Sequence, residues 1–290
     1  MLINRVGLLY HPMNKAAFTL AKKLNGFLDA RGISVWLCSA WEGEEAKAQV
    51  NNTDLILSVG GDGTILRAAQ VAVLGLTPIA GINLGRLGFM TELDADEVVD
   101  KLPALLAGEG WIDERAMLEA ELSPAGKDEP ARVFYALNDV VVARGTIART
   151  IHVEASIDSG VLTTYNADGV MVATATGSTG YSLAAGGPIL HPKSKDFLLL
   201  PILPHLGLAY TMVLQSTAIV RLDVTTIHQA TLSIDGHINL PISSGTTVTV
   251  KQSTKTTRFL RIRPEASFYS SLEQRLKGKQ QFESGRKSQN

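Results

Sequence analysis

The architecture of the chain follows from one stretch, Asp54-Leu55-Ile56-Leu57-Ser58-Val59-Gly60-Gly61-Asp62-Gly63-Thr64. Its apolar first half, residues 54–59, is typical of a buried strand, and residues 65–72 after the glycines are typical of a helix. Glycines between a strand and a helix let backbone N–H groups approach a phosphate closely, and the positive end of the helix dipole stabilises its charge. The stretch therefore predicts a phosphate site.

Asp62 stands where a P-loop carries its lysine. A carboxylate repels a triphosphate unless it accepts a proton from a hydroxyl group or acts through a divalent cation. Asp62 is therefore a candidate general base or metal partner. The alternative is a tight turn in which Asp62 or Thr64 only caps the following helix.

Periodicity predicts an α/β domain over residues 1–115. An amphipathic stripe at 17–28 indicates a helix, strands are indicated at 55–59 and 78–82, and 95–106 indicates a covering helix that breaks or ends near Pro103. Alternating strands and helices of this kind predict a parallel, Rossmann-like sheet.

From residue 116 the sequence no longer alternates predicted strands with predicted helices. Short runs of alternating apolar and polar residues begin there. Such runs, separated by glycine turns, predict a β-sandwich domain over residues 116–264. They lie at 117–122, 133–142, 152–157, 170–174, 219–224, 230–234, 246–251 and 258–262. Residues 268–276 are typical of a helix, and the polar tail at 278–290 is typical of a disordered segment.

A second glycine-rich segment, residues 176–188, follows the apolar strand predicted at 170–174. It combines five hydroxyl side chains with four glycines and reads Thr176-Gly177-Ser178-Thr179-Gly180-Tyr181-Ser182-Leu183-Ala184-Ala185-Gly186-Gly187-Pro188. A loop of this composition offers many hydrogen-bond donors in a small space.

The two segments, in this order, resemble the NAD kinase family over most of the chain. The first motif alone is shared with diacylglycerol and sphingosine kinases, and Thr-Gly-Ser-Thr-Gly-Tyr is what singles out NAD kinases. Further matching motifs lie at 81–89, 137–139, 167–169, 233–236 and 267–269. The resemblance implies an α/β domain followed by a β-sandwich domain, with a C-terminal helix at 265–277 that packs back on the first domain.

The resemblance also implies roles for individual residues. Asp62 is the proton acceptor for the adenosine 2′-hydroxyl, and Asp62, Gly63 and Arg67 are substrate-binding residues on the first motif. Asn138 and Asp139 match an Asn-Glu pair that contacts the nucleoside. The adenosine loop comprises Thr179, Gly180, Tyr181, Ser182, Leu183 and Ala184. The remaining predicted binding positions are Arg149, Asn166, Asp168 and His237.

Several positions depart from the family pattern. Asp139 is one methylene shorter than the family glutamate, Asn166 replaces an arginine, and Gly180 replaces an alanine. The segment 206–212 lacks the family's Ser-Leu-Ser-Phe-Arg-Pro run. Ordinary alternatives remain: a turn-forming pair at Asn138 and Asp139, a solvated side chain for Arg67, and a core position for Tyr181.

Composition restricts the partners. A formal net charge of -1 gives no electrostatic case for nucleic acid. The single cysteine, Cys38, excludes an internal disulfide framework and is expected to be a buried core thiol.

The amino terminus lacks a signal-peptide core, which predicts a cytoplasmic protein. The apolar run 197–214 is interrupted by prolines and a histidine, which disfavours a membrane helix.

We therefore predict an NAD kinase that uses ATP or polyphosphate and a divalent metal such as Mg²⁺, bound mainly through the donor phosphates, and that forms a homo-oligomer, with a tetramer favoured over a dimer. No protein metal ligands are predicted. The alternatives are a lipid or small-polyol kinase of the same superfamily, or a catalytically weak dinucleotide sensor suggested by the changes at Asp139, Asn166 and 206–212. The sequence leaves open the phosphate donor and the preference for NAD or NADH.

Overall fold

The computed structural model describes residues 3–85, 88–126, 129–145, 149–205, 210–264, 268–269, 272–273 and 275–276. The chain divides into two compact units. The first comprises Met1–Glu114 and Thr257–Asn290, and the second comprises Arg115–Thr256.

The first unit is an α/β layer structure. Its elements are β1 (Arg5–Tyr10), α1 (Lys15–Asp29), β2 (Ser34–Ser39), α2 (Gly43–Gln49), β3 (Leu55–Val59), α3 (Asp62–Ala72), β4 (Ile79–Asn83), β5 (Leu93–Asp94) and α4 (Val98–Leu106). Strands β2, β1, β3 and β4 pair side by side and in parallel, and β5 pairs in parallel with β4. The predicted parallel sheet is confirmed.

Local sequence explains the first helix. Asn14 is its N-cap, and the side chain accepts hydrogen bonds from the N–H groups of Ala16 and Ala17. The face that carries Leu24 and Leu28 is buried against the sheet, in the same core cluster as Leu8 and other strand residues. The helix predicted from the 17–28 stripe is thus confirmed.

Two predictions for this unit are corrected. Helix α4 begins at Val98 rather than at residue 95, and it continues through Pro103 to Leu106 instead of breaking there. Proline removes only its own N–H, and the Pro103 carbonyl still accepts a hydrogen bond from Ala107 N at 3.0 Å. The short helix α2 was not predicted.

The second unit is built from antiparallel strands. They are β6 (Trp111–Ser123), β7 (Arg132–Ala136), β8 (Asp139–Arg144), β9 (Ile151–Ile157), β10 (Gly160–Ala167), β11 (Gly169–Ala173), β12 (Phe197–Ile202), β13 (Met212–Leu214), β14 (Ile219–Thr225), β15 (Ala230–Ile234), β16 (Ile238–Ile242) and β17 (Thr247–Arg261), with the short helix α5 (Tyr181–Ala184) after β11. β6 begins, and β17 ends, in the first unit.

Six of these strands form one sheet in the order β13-β12-β11-β8-β15-β16. Within the unit, β10, β9, β14 and β17 pair in that order in another layer. Side chains from both layers, such as Val142, Val172 and Leu222, share one buried cluster, which is the core of a sandwich. The predicted β-sandwich is confirmed.

The outer face of the six-stranded sheet is also covered. Met171 and Leu200 on this face form a second buried cluster, and Ala185 and Leu190 pack against it. Because Ala185 and Leu190 follow α5, this packing holds the chain that contains the predicted adenosine loop against the end of β11.

Several strands differ from the predictions. The run predicted at 133–142 is two strands separated by Leu137 and Asn138, and the runs predicted at 246–251 and 258–262 are joined in β17. Threonines between the latter two runs, such as Thr257, are good strand formers. β10 and β16 were missed because exposed polar residues are mixed among their apolar ones.

The apolar run at 197–214 is explained by β12, whose six residues are all buried inside the sheet. Among the described helices, none is long and apolar enough to cross a membrane.

At the C-terminus, Phe268, Tyr269, Leu272, Glu273, Arg275 and Leu276 are helical. Arg275 Nη1 donates a hydrogen bond to the Gly88 carbonyl oxygen at 2.5 Å, inside the first unit. The rest of the helix predicted at 265–277 and the tail at 278–290 lie outside the described residues, as do residues 206–209 of the divergent segment.

Candidate active site

The first glycine turn lies between the end of β3 and the start of α3. A Cβ atom at Gly60 would lie 2.2 Å from the Oγ1 atom of Thr64, so only glycine fits there. Gly61 is the N-cap residue of α3, and no side chain caps the helix. The interpretation of Asp62 or Thr64 as a helix cap is therefore wrong.

The Asp62 carboxylate is instead surrounded by the loop that follows β4. Its Oδ2 accepts a hydrogen bond from Phe89 N at 3.0 Å, and its Oδ1 accepts one from Met90 N at 3.1 Å. A Cβ atom at Gly88 would lie 2.2 Å from Oδ1, so this glycine allows the close approach. Each carboxylate oxygen can accept a second hydrogen bond, which leaves Asp62 able to accept one from a substrate hydroxyl.

Arg67 lies on α3, one turn after Asp62, and is half-buried. Its guanidinium group stacks 4.1 Å from the centre of the Trp41 ring, and burial lowers the pKa of the guanidinium. The interpretation as a freely solvated side chain is thus too simple, because the aromatic ring fixes the position of the cation. Gly63, in the first turn of α3, is exposed.

In the second unit, one buried carboxylate organises the segment before β8. Asp235 accepts hydrogen bonds from Leu137 N at 3.0 Å, Asn138 N at 2.7 Å and Asp139 N at 3.1 Å. Asp235 has a positive φ of 50° in the turn that leads to Gly236, a conformation that aspartate tolerates better than most residues. Sequence reasoning assigned no role to Asp235, although an Asp-Gly pair after a strand is a turn signal.

The side chain of Asp139 lies next to this group and is buried, with 6% of its surface exposed. Burial, together with the nearby charge of Asp235, raises the pKa of the Asp139 carboxyl to about 7. The three backbone N–H groups stabilise the negative charge of Asp235, which lies next to the Asp139 carboxyl. The pair formed by Asn138 and Asp139 is accordingly more than a turn, because Asp139 begins a buried strand.

The second glycine-rich segment folds against Asn138. Thr174 N donates to the Asn138 carbonyl oxygen at 2.8 Å, and Thr174 Oγ1 donates to the Leu137 carbonyl oxygen at 2.6 Å. A Cβ atom at Gly177 would lie 2.1 Å from the Asn138 carbonyl oxygen, so this position requires glycine. The motifs at 137–139 and 176–188, which are distant in sequence, therefore form one site.

Several polar atoms at this site have no hydrogen-bond partner within the described part of the chain. They are buried and comprise Asn138 Oδ1, Thr176 Oγ1 and Ser182 Oγ. Buried polar groups are nearly always paired, and leaving one unpaired costs roughly 1–3 kcal/mol. Three such atoms around one loop indicate a surface that is completed by a polar ligand.

The remaining loop residues are arranged around these atoms. Thr179 is buried at the end of a short 3-10 helix (Gly177–Thr179), and Ser182 is buried in α5. Tyr181 is 50% exposed, so the interpretation as a core residue is wrong. Gly180 and Leu183 are half-buried, and Ala184 is exposed.

Asp168 and Asn166 lie where β10 leads into β11. Asp168 Oδ2 accepts a hydrogen bond from Arg144 Nη2 at 2.9 Å, an ion pair that sequence reasoning missed. Asn166 Oδ1 is buried without a partner among the described residues. The charge of Arg144 is thus paired with Asp168.

Two predicted residues are less constrained. Arg149 is exposed and lies outside the strands. His237 is half-buried, and its Nδ1 lies 3.2 Å from the Asp235 carbonyl oxygen, in the turn that also positions Asn138. The predicted residues thus fall in both units: Asp62, Gly63 and Arg67 in the first, and the others in the second.

One cluster of candidate metal ligands occurs among the described residues, formed by Cys38, Glu42 and Glu45. Burial and the two glutamates raise the pKa of the Cys38 thiol to about 12, so the thiolate that a metal needs is strongly disfavoured. Cys38 is a free, buried thiol, as predicted.

A cavity of about 600 Å³ lies elsewhere in the second unit. Arg132, His228 and Ser243, three of its lining residues, are exposed, and the cavity includes none of the predicted site residues. The site defined by Asn138 and residues 176–188 has the stronger support, because its buried polar atoms are unpaired.

Comparisons with known proteins agree with this geometry. The model for the ATP-NAD kinase N-terminal domain matches residues 6–110, and that for the ATP-NAD kinase C-terminal domain matches residues 137–262. An NAD kinase of Dehalococcoides mccartyi is 53% identical over 274 residues, which are 94% of this chain and 96% of that protein. An NAD kinase of Chloroflexus aggregans is 40% identical over 276 residues, or 95% and 99% of the two chains.

Solved structures show the same fold. Yeast NADH kinase complexed with NADH gives a TM-score of 0.79 at 23% identity, covering 95% of this chain and 88% of that one. An NAD kinase from Archaeoglobus fulgidus in complex with ATP gives a TM-score of 0.70 at 26% identity, covering 89% of this chain and 94% of that one.

Proposed function

The chain belongs to the NAD kinase family, and we propose that it transfers a phosphoryl group from ATP or inorganic polyphosphate to the adenosine 2′-hydroxyl of NAD, giving NADP. The observation that carries this proposal is the 53% identity, over 94% of the chain, to a relative named NAD kinase. The unpaired polar atoms beside Asn138 support it, because a nucleoside supplies the hydrogen-bond partners that they lack.

In the proposed mechanism, Asp62 accepts the proton of the 2′-hydroxyl as this oxygen attacks the terminal phosphorus of the donor. The bond from that phosphorus to its bridging oxygen breaks, and ADP or the shortened polyphosphate leaves. The hydroxyl proton is not lost near neutral pH without a base, and a positioned carboxylate supplies one. The amides of Phe89 and Met90 keep the Asp62 carboxylate in one orientation, so that its remaining lone pairs point in fixed directions.

Binding of NAD is assigned to the second unit. Asn138 and the loop at 176–188 contact the adenosine, and Asp139 accepts hydrogen bonds from ribose hydroxyls. Asp168, held by its ion pair with Arg144, and Asn166 contact the nicotinamide end. Arg149 and His237 complete the set of proposed contacts, and Arg67 faces the donor phosphates.

A divalent cation such as Mg²⁺ is proposed to be held mainly by the donor phosphates. Asp62 is a single half-buried carboxylate whose two oxygens already accept amide hydrogens, so it supplies at most one ligand. This donor set fits a cation that keeps most of its ligands from phosphate and water. The cation would neutralise charge on the phosphate oxygens during transfer.

The activity is tested by incubating the purified chain with NAD, Mg²⁺ and either ATP or polyphosphate, with NADP measured by an NADP-specific dehydrogenase. We expect NADP with at least one donor and none when Mg²⁺ is chelated by EDTA. Diacylglycerol, sphingosine and small polyols serve as competing acceptors. NAD binding without turnover would indicate a sensor, and phosphorylation of a lipid or polyol in preference to NAD would refute the proposal.

We also propose a cytoplasmic homo-oligomer, most favourably a tetramer. Exposed apolar side chains in the second unit support assembly there, including Tyr210 and Val213, which are 53% and 54% exposed. Light scattering at micromolar concentration is expected to give a mass of two or four chains. A particle of 31 kDa with full activity would contradict the assembly.

A further inference from the structure

Residues 88–92, which surround the Asp62 carboxylate, form neither helix nor strand. They lie between β4, which ends at Asn83, and the two-residue strand β5, which begins at Leu93, and the amides of Phe89 and Met90 bond the carboxylate. A loop of this kind moves easily unless other groups fix it. The backbone of Asp62 is set by α3, and the orientation of its carboxylate depends on what holds residues 88–92.

Arg261, at the end of β17, supplies part of that support, beside the Arg275 hydrogen bond to the Gly88 carbonyl oxygen and the hydrogen bond from Gly88 N to Thr91 Oγ1 at 3.1 Å. Its Nη1 atom donates hydrogen bonds to the Met90 carbonyl oxygen at 2.9 Å and to the Thr91 carbonyl oxygen at 3.3 Å. Met90 thus bonds Asp62 through its N–H and Arg261 through its C=O. One residue, Met90, therefore connects the Arg261 guanidinium group with the Asp62 carboxylate.

Arg261 is itself held firmly. It is 6% exposed, and its Nε and Nη2 atoms both donate to Asp113 Oδ2 at 3.2 Å. Its Nη1 lies 3.3 Å from Glu92 Oε2, and Glu92 Oε1 accepts the N–H groups of Ile262 and Arg263 at 2.9 and 2.7 Å. These contacts link the end of β17 with both ends of the turn at 90–92.

Stability alone does not explain this buried group. Replacing a buried ion cluster by apolar side chains of similar volume is often neutral or stabilising, because desolvation offsets the attraction between the charges. What the cluster provides is a fixed geometry, since the planar guanidinium directs its N–H groups at two carbonyls and two carboxylates at once.

Resting on the proposed function, with Asp62 as the base, we propose that Arg261 is a positioning residue for the reaction: it fixes the 88–92 loop whose amides orient the Asp62 carboxylate. Arg261 touches no substrate in this account. A small displacement of a catalytic group is enough to lower the rate by about a hundredfold.

The test compares Arg261→Lys with a triple variant, Arg261→Met/Glu92→Gln/Asp113→Asn. Lysine keeps the positive charge of Arg261 but cannot direct several N–H groups as the planar guanidinium does. The triple variant removes the buried charges together, so that no carboxylate is left unpaired. We expect kcat to fall by about tenfold to a hundredfold in both. The KM for NAD is expected to stay within about twofold, because the side chains proposed to bind NAD lie in the second unit.

Arg258→Met is the matched control. Arg258 lies on the same strand and pairs with exposed Glu114 at 3.0 Å, so this variant is expected to keep the wild-type kcat. Circular dichroism and thermal unfolding verify that each variant is folded.

The outcomes separate this inference from the proposed function. A wild-type protein that forms no NADP refutes the proposed function and, with it, the role of Arg261. An active wild type with a folded triple variant of near wild-type kcat refutes the role of Arg261 alone. A raised KM at unchanged kcat also refutes it, because that would show a binding effect.

Discussion

Replacing Asp62 by asparagine is expected to lower kcat by about a hundredfold to ten-thousandfold, because the acceptor hydroxyl loses its base. Affinity for NAD is expected to change little, since the proposed nucleoside contacts lie around Asn138 and residues 176–188. Steady-state kinetics with saturating NAD and donor gives kcat, and calorimetric titration gives the NAD affinity.

Asp54→Asn is the matched control for this variant. The Asp54 carboxylate also accepts two backbone amides, those of Asn4 and Arg5 at 2.8 and 2.9 Å, but it lies just before the start of β3, whereas Asp62 follows the end of that strand. We expect Asp54→Asn to affect stability without a comparable loss of kcat. If Asp62→Asn turned over near the wild-type rate, Asp62 would serve only to anchor residues 88–90, and the base would lie elsewhere.

The second large effect concerns pH. NAD binding in this account requires the ionised Asp139 carboxylate, whose pKa in the unliganded protein is about 7. Below that pH the bound NAD must displace a proton, so the Kd for NAD is expected to rise by about tenfold per pH unit between about pH 7 and 5. Calorimetry across this range measures the slope.

Variants of Asp139 separate a ligand contact from a structural role. At pH 8 we expect Asp139→Ala to weaken NAD binding by about 1–3 kcal/mol, because ribose donors lose their acceptor. Asp139→Glu should be tolerated or even improve binding, and Asp139→Asn should remove the pH dependence. Equal affinities in all variants would show that Asp139 does not touch the nucleoside.

Stability provides an independent check on the same carboxyl. Its folded pKa is raised from 3.8 to about 7, so the folded state binds more protons than the unfolded state between these values. Stability therefore falls as pH rises from about 4 to 7, and the penalty, at most roughly 4 kcal/mol, is fully present above 7. Asp139→Asn is expected to raise Tm at pH 8 and to leave it nearly unchanged at pH 4.

Local patterns in the sequence were sufficient to predict the elements that carry the chemistry. The stripe at 17–28 predicted α1, and the apolar run and glycines predicted β3 and α3, because neighbouring residues determine these elements. Strands such as β10 carry polar residues on both faces, so their sequences show no clear alternation of apolar and polar residues. The apolar run of β12 raised the question of a membrane helix because burial on both faces of a sheet removes the alternation.

The contacts that tune the site could not be predicted locally. The amides of Phe89 and Met90 reach Asp62 from a loop 27 and 28 residues away, and Asp235 reaches Asp139 from 96 residues away. Such contacts depend on how strands pair, which sequence spacing does not reveal. The role of Arg261 likewise follows from tertiary contacts and has no signal in a sequence motif.

The most direct test of the account is the position of the transferred phosphoryl group. We propose to incubate the wild-type protein with NAD, ATP and Mg²⁺ and to record the ³¹P NMR spectrum of the purified product. We expect a new phosphomonoester resonance coupled to the 2′-proton of the adenosine ribose, with the pyrophosphate resonances retained. A phosphoryl group on the 3′-oxygen or on the nicotinamide ribose, or no monoester at all, would contradict the proposed function.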